Sequence, residues 1–239
     1  MSVRLYVDAA WQRDAEIDLP AAAARHVQVR RLQPGDPLCL FNGSGGEWQA
    51  TVLHMGRSQV VVRVGDFDPV ERELGVRVTV ALGMPANERM DYLVEKATEL
   101  GVHAIQPLQC ERSVLRLAGE RAQRKREHWQ AIAVAAAEQC GRTRVPQVAD
   151  VQMLPRFLAP PPNQAMRLLL SPGENAPALH AVAADAQAVL ILSGPEGGLS
   201  PAEEAAARGA GFVPARLGER VLRAETAPLA VLAWLGLKP

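Results

Sequence analysis

Ala188-Val189-Leu190-Ile191-Leu192-Ser193-Gly194-Pro195-Glu196-Gly197-Gly198-Leu199-Ser200-Pro201-Ala202-Glu203 changes character twice in a short span. The first residues are apolar and too few for a buried helix, so they read as a buried strand. Ser200, Pro201 and Glu203 then carry the signature of a helix start. Serine caps, proline takes the first helical position, and glutamate three residues on completes a capping box. The glycines between leave backbone N–H and C=O groups uncovered at the carboxyl end of the strand. In open α/β sheets ligands bind there. The turn is not a phosphate cradle, because neither G-x-G-x-x-G after a strand nor G-x-x-x-x-G-K-[ST] occurs. A ligand held through adenine, ribose or an amino-acid group fits it better than a triphosphate.

Outward from this unit, strands and helices alternate. Residues 76–84, 103–108, 165–170, 188–192 and 212–215 read as strands. Residues 88–100, 120–139, 177–184, 201–208 and 227–237 read as helices, and 159–163 as a proline-rich surface loop. Such alternation implies an α/β layer with a mostly parallel sheet. Residues 1–70 differ. Short apolar or alternating runs at 4–7, 37–41, 48–53 and 59–64 are punctuated by Pro34-Gly35-Asp36 and Asn42-Gly43-Ser44-Gly45-Gly46, with one helix at 21–29. That spacing predicts a small β-barrel. The charged, proline-containing stretch 67–75 is the expected linker, giving domains 1–70 and 75–239.

The bulk properties exclude several classes. No apolar run approaches the roughly 20 residues needed to cross a bilayer, and the first residues lack a signal-peptide core, so the expected location is the cytoplasm. The three cysteines, Cys39, Cys110 and Cys140, show no C-x-x-C spacing, so neither a metal site nor a disulfide framework is expected. A formal net charge of zero argues against indiscriminate coating of nucleic acid.

A second loop, Leu217-Gly218-Glu219-Arg220-Val221-Leu222-Arg223-Ala224-Glu225-Thr226-Ala227, lies between a strand and a strongly apolar helix. Local positive charge gathers elsewhere. Residues 112–144 hold eight basic against three acidic residues, including Arg112, Arg116, Arg124, Lys125 and Arg142. His26, Arg30 and Arg31 lie on or just after the first helix. These eight side chains are the candidate RNA contacts. His128 and Trp129 either stack on a base or pack along their helix.

With these segments in view, the chain resembles the ribosomal RNA small subunit methyltransferase E family of the SPOUT class. The resemblance rests on Val29-Arg30-Arg31-Leu32-Gln33-Pro34-Gly35-Asp36, Phe41-Asn42-Gly43 and Arg89-Met90-Asp91-Tyr92-Leu93-Val94-Glu95-Lys96-Ala97-Thr98-Glu99-Leu100-Gly101-Val102. Glu111-Arg112-Ser113, Glu138-Gln139-Cys140-Gly141-Arg142 and the two loops complete it. Departures are Arg30, Leu199, Cys140 and Glu219. The resemblance implies a PUA-like β-barrel RNA-binding domain, then a SPOUT-type α/β methyltransferase domain with a C-terminal trefoil knot, in a homodimer. It implies transfer of a methyl group from S-adenosylmethionine to N3 of a uridine in 16S rRNA of the small ribosomal subunit. The cofactor would be held by Leu170, Pro172, Leu192, Gly194, Pro195, Glu196, Gly197, Gly198, Leu217, Gly218, Val221, Leu222, Arg223, Thr226 and Ala227.

The chemistry then assigns roles. Uracil N3 carries a proton at neutral pH, so the site must accept it or stabilise charge spreading onto O2 and O4. Arg223 is the candidate donor to that charge, and Glu196 or Glu225 the candidate to take the proton or orient the arginine. Neither loop contains a cysteine, which favours transfer to nitrogen or oxygen over carbon 5. The nearly all-apolar helix at 227–237 is expected to be buried in the core or against a second subunit. Two other readings stay open on the residues alone: a related enzyme acting on tRNA or a ribose hydroxyl, and a non-catalytic RNA-binding assembly factor.

Overall fold

Two side-chain periods divide the chain. The computed structural model describes residues 3–57, 59–159, 165–171, 176–183 and 186–237, and folds each part as its period dictates. The contacts form two units, Met1–Glu73 with Ala137–Val145, and Leu74–Ala136 with Pro146–Pro239.

In the first unit β1 (Val3–Tyr6), β2 (Glu16–Asp18), α1 (Ala21–Val29), β3 (Pro37–Phe41), β4 (Glu47–Met55) and β5 (Val60–Asp68) form a sheet ordered β1-β3-β4-β5-β2. Only β1 and β3 run parallel. Alternation sets the register: Val60, Val62 and Val64 of β5 are buried, and Val61, Arg63 and Gly65 are not. Val27 and Ala24 of α1 join Leu5, Leu38, Leu40 and Val52 in one core. The β4–β5 hairpin is longer at both ends than its apolar runs suggest. It reaches Glu47↔Asp68, where the Trp48 and Phe67 rings pack at 5.0 Å. Aromatic pairing across a ladder thus carries strand into the expected linker.

The second unit contains β6 (Arg77–Gly83), α2 (Asn87–Glu99), β7 (Ala104–Gln109), α3 (Gly119–Cys140), β8 (Gln147–Val148), β9 (Gln152–Met153) and α4 (Leu154–Leu158). There follow β10 (Met166–Leu170), α5 (Leu179–Val182), β11 (Ala188–Ser193), α6 (Pro201–Gly209), β12 (Val213–Ala215) and α7 (Thr226–Gly236). Its strands are ordered β12-β10-β11-β6-β7-β8, with β9 on β7, and every pairing is parallel. The order reverses between β6 and β11: earlier strands extend one way and later strands the other. That reversal opens a crevice at the carboxyl ends. Strands β8 and β9 and helix α4 escape periodic reading because each is too short to repeat. The helix expected at 177–184 begins later, because Ala178 bridges to Arg216 and Arg216 N–H donates to Pro177 O at 2.9 Å. Apart from Ala159, the loop expected at 159–163 lies outside the described residues.

Ala137–Val145, the last turn of α3 and the segment after it, belongs with the first unit. Arg142 is 4% exposed and its guanidinium pairs with Glu73. Arg4 donates to Arg142 O at 3.0 Å, Arg72 to Gly141 O at 2.9 Å, and Tyr6 N–H to Glu138 at 2.8 Å. Burial pushes the Glu138 carboxyl above its ordinary range. Arg142, a candidate RNA contact on sequence, is therefore an internal tie.

Removing one member of such a pair strands a buried charge. Arg142→Ala should cost about 3 kcal/mol of unfolding free energy in urea titration, and Arg142→Ala/Glu73→Gln should recover part of it.

Candidate active site

The carboxyl ends of β10, β11 and β12 open into a cavity of about 500 Å³. Its walls are Leu170 and Ser171 at the end of β10, Ser193–Leu199 from the end of β11 onward, and Ala215–Gly218 with Arg220–Ala224 from the end of β12 onward. Arg89 of α2, Glu204 of α6 and Ala227 of α7 close the sides.

The first loop is shaped by backbone contact. A Cβ on Gly83, the last residue of β6, would lie 2.4 Å from Pro195 Cδ and 2.6 Å from Pro195 N. A Cβ on Gly194 would lie 2.8 Å from Leu199 N. Gly198 has φ +69°, and its N–H closes the turn onto Pro195 O at 2.8 Å. The loop folds back on itself and rests on β6 only because these positions have no side chain.

Side chains then fasten it from both flanks. Glu196 Oε1 accepts Ala86 N–H at 2.8 Å and Arg89 Nη1 at 3.3 Å, tying the loop to the start of α2. Arg112, in the β7–α3 connection, donates Nη1 to Gly197 O at 3.1 Å and Leu199 O at 3.3 Å. The capping box forms as its sequence requires, with Glu203 N–H on Ser200 Oγ and Ser200 N–H on Glu203 Oε2. The other Glu203 oxygen accepts Glu111 N–H at 2.8 Å.

The second loop turns at Gly218, φ +107°. The Arg223 carbonyl accepts the Thr226 and Ala227 N–H groups at 3.0 and 3.1 Å, which starts α7. Its guanidinium is exposed at the cavity. Arg216, Arg220 and Arg223 all line the cavity without a carboxylate partner among the described residues. No cysteine lines it. Cys110 is buried nearby against Gly83, and burial pushes its thiol up to about 12, so it stays protonated. Among the described residues no cluster of His, Cys, Asp or Glu could hold a metal ion, and no helix is long and apolar enough to cross a membrane.

Of the residues singled out on sequence, Leu170, Gly194, Pro195, Glu196, Gly197, Gly198, Leu217, Gly218, Val221, Leu222, Arg223 and Ala227 meet at this cavity. Leu192 is fully buried in the core behind it, and Thr226 is exposed off its rim. Glu225 is 7% exposed, does not line the cavity, and has one carboxyl oxygen without a hydrogen-bond partner. Pro172 lies outside the described residues. Ser193 extends β11 by one residue and Ser171 follows the end of β10, positions that the apolar runs conceal. Arg89 lies far away in sequence, and no local pattern points to it.

The candidate RNA contacts disperse. Arg112 is held by the loop carbonyls, Arg116 by Glu111 O at 2.6 Å, and Arg124 by Glu120 at 3.0 Å. His26 faces Glu138 at 3.4 Å. Lys125 is half-buried, and Arg30 and Arg31 are exposed. Trp129 is fully buried with its indole N–H on Asp91, so it does not stack on a base. His128 binds the same carboxylate.

Comparison with known proteins gives the geometry a lineage. The profile of RNA methyltransferase domains matches residues 72–236, and that of RNA methyltransferase PUA domains matches residues 19–65. Ribosomal RNA small subunit methyltransferase E of Bacillus subtilis is 34% identical over 87% of this chain and 84% of its own length. The Synechocystis protein of that name is 34% identical over 98% of this chain and 77% of its own. Among solved structures, the Neisseria gonorrhoeae ribosomal RNA small subunit methyltransferase E bound to S-adenosyl methionine superposes with a TM-score of 0.92 at 32% identity, covering 98% of this chain and 97% of that one. A Legionella pneumophila putative methyltransferase in complex with the same cofactor gives 0.94 at 33%, with the same coverage. Sequence and fold agree over most of the chain, and the chain belongs to the ribosomal RNA small subunit methyltransferase E family.

Proposed function

We propose that this protein transfers a methyl group from S-adenosylmethionine to N3 of a uridine in the 16S rRNA of the small ribosomal subunit, acting in the cytoplasm. The observation that carries the reading is the cavity enclosed by the two loops. Two relatives that superpose along their whole length were solved with this cofactor bound.

The residues present fit it. Gly194, Gly197 and Gly198 carry no side chain where they line the cavity, which leaves backbone N–H and C=O groups to meet adenine, ribose and amino-acid groups. Leu170, Leu217, Val221 and Leu222 supply apolar contact, with Gly194–Gly198 and Gly218 supplying the close backbone. When bound, the cofactor supplies a methyl group already activated by a positive sulfur, so the enzyme's share is alignment and nucleophile activation. Arg223 stabilises the negative charge that spreads onto O2 and O4 as N3 loses its proton. Of the two candidate glutamates only Glu196 faces the cavity, and its hydrogen bonds from Ala86 and Arg89 both fall on Oε1. Glu196 is the proposed acceptor of that proton. Glu225, buried at the start of α7, does not line the cavity.

Two further features of the family are part of this reading. The trefoil knot would pass Leu217–Ala227 through the sheet's connections. The homodimer is supported by α7. Val231, Leu232 and Leu235 are buried while Leu229, Ala230 and Ala233 are only half-buried, so an apolar face is left for a second copy.

Small subunits purified from a strain lacking the enzyme should accept labelled methyl groups at one uridine N3. Arg223→Ala should lower kcat about a hundredfold with RNA binding intact, and near-normal turnover would remove Arg223 from the role. Arg112→Ala should weaken S-adenosylmethionine binding in calorimetry about tenfold, the scale of one charge-assisted hydrogen bond, without changing affinity for small subunits. Sedimentation should find a dimer that Ala233→Arg converts to monomer.

A further inference from the structure

Two glutamates stand side by side at the start of α6, and their duties differ. Glu203 has both carboxyl oxygens occupied, one by Ser200 N–H in the capping box and the other by Glu111 N–H. Glu204 follows about 100° round the helix and lines the cavity instead. The helix start fixes its place, since its N–H donates to Ser200 O at 2.9 Å. Glu204 is half-buried, and among the described residues its carboxylate has no ion-pair partner.

The charge around it is of the other sign. Arg89, Arg216, Arg220 and Arg223 line the cavity against two carboxylates, Glu196 and Glu204. Among the described residues only Arg89 of these four reaches a carboxylate, that of Glu196 at 3.3 Å. A cavity with such an excess repels a cation unless an anion is built into its wall. S-adenosylmethionine brings two positive charges, on sulfur and on the α-ammonium, and one negative, on the α-carboxylate. Its carboxylate has arginines to meet on these walls. Its ammonium has three N–H donors and no acceptor, so leaving water for a wall without an acceptor costs free energy. Of the two glutamates, Glu196 already binds Ala86 N–H and Arg89 through Oε1, and it is the acceptor assigned to the uridine proton. Glu204 is uncommitted.

We propose that Glu204 recognises the α-ammonium of S-adenosylmethionine, an inference that rests on the methyl-transferring reading above. A carboxylate beside an ammonium forms charge-assisted hydrogen bonds, stronger than those between neutral groups. The same negative charge offsets the field of the unpaired arginines at the end of the cofactor that enters as a zwitterion. Glu204 is thus a cofactor-binding residue with no part in the proton transfer.

The test is calorimetry on the full-length protein with three ligands, repeated on Glu204→Gln, which keeps the side chain's size and removes its charge. S-adenosylmethionine and S-adenosylhomocysteine both carry the ammonium, and only the first carries the sulfonium. Methylthioadenosine has neither. Glu204→Gln should weaken the first two by the same factor, roughly tenfold to a hundredfold, the scale of a hydrogen bond to a charged group. It should leave methylthioadenosine binding unchanged, which also shows that the variant folds with its nucleoside site intact. In turnover the KM for S-adenosylmethionine should rise by that factor, while kcat at saturation and the KM for small subunits hold. Weakening of S-adenosylmethionine alone would assign the carboxylate to the sulfonium, and equal weakening of all three would assign it to the nucleoside or the fold. Either result, or no weakening at all, would overturn the proposal. If the unsubstituted protein binds none of the three, the cofactor reading itself falls and this inference falls with it.

Discussion

The site depends on a contact in which one backbone rests on another. Gly83 ends β6 where the turn after β11 crosses it, and the Pro195 ring and nitrogen occupy the space a side chain would need. Because β6 and β11 pair in parallel from Arg77↔Ala188 to Leu82↔Ser193, the crossing point is fixed by the ladder itself. A turn lying flush on its neighbour cannot drift, so its exposed amides hold their directions before any ligand arrives. Preorganisation of this kind lowers the cost of binding and keeps dipoles in place during chemistry.

The flanking fasteners act on that turn from opposite sides. Arg89 and Ala86 hold the Glu196 carboxylate, and Arg112 holds two carbonyls. Each interaction is modest, because ion pairs as open as Arg89–Glu196 are screened by solvent. Their value lies in number and placement: they leave the inner rim of the loop to the cavity.

Much of this was legible in the sequence, for local reasons. The unit from Ala188 to Glu203 is readable because strand length, glycine turn and capping box are set by adjacent residues. The second loop is readable because it sits between a strand and an all-apolar helix. What escaped reading depends on partners distant in sequence. Arg112 and Arg142 look like surface cations in a basic stretch, yet one binds loop carbonyls and the other a glutamate 69 residues away. Trp129, readable on sequence as packed along its helix, is wholly buried, and its indole N–H donates to an aspartate 38 residues away. The short elements β8, β9 and α4 have too few residues to show a period.

The return of Ala137–Val145 to the first unit bears on modularity. The polypeptide passes between the two units three times, at 73/74, 136/137 and 145/146. Cutting after residue 73 would therefore not release an autonomous module. It would leave Glu71 and Glu73 without their arginines, Arg4 and Arg72 without the carbonyls they cap, and the Tyr6 amide without its acceptor. Shuffling by simple end-to-end fusion is closed to such a chain, and its two halves must be inherited, exchanged and lost together.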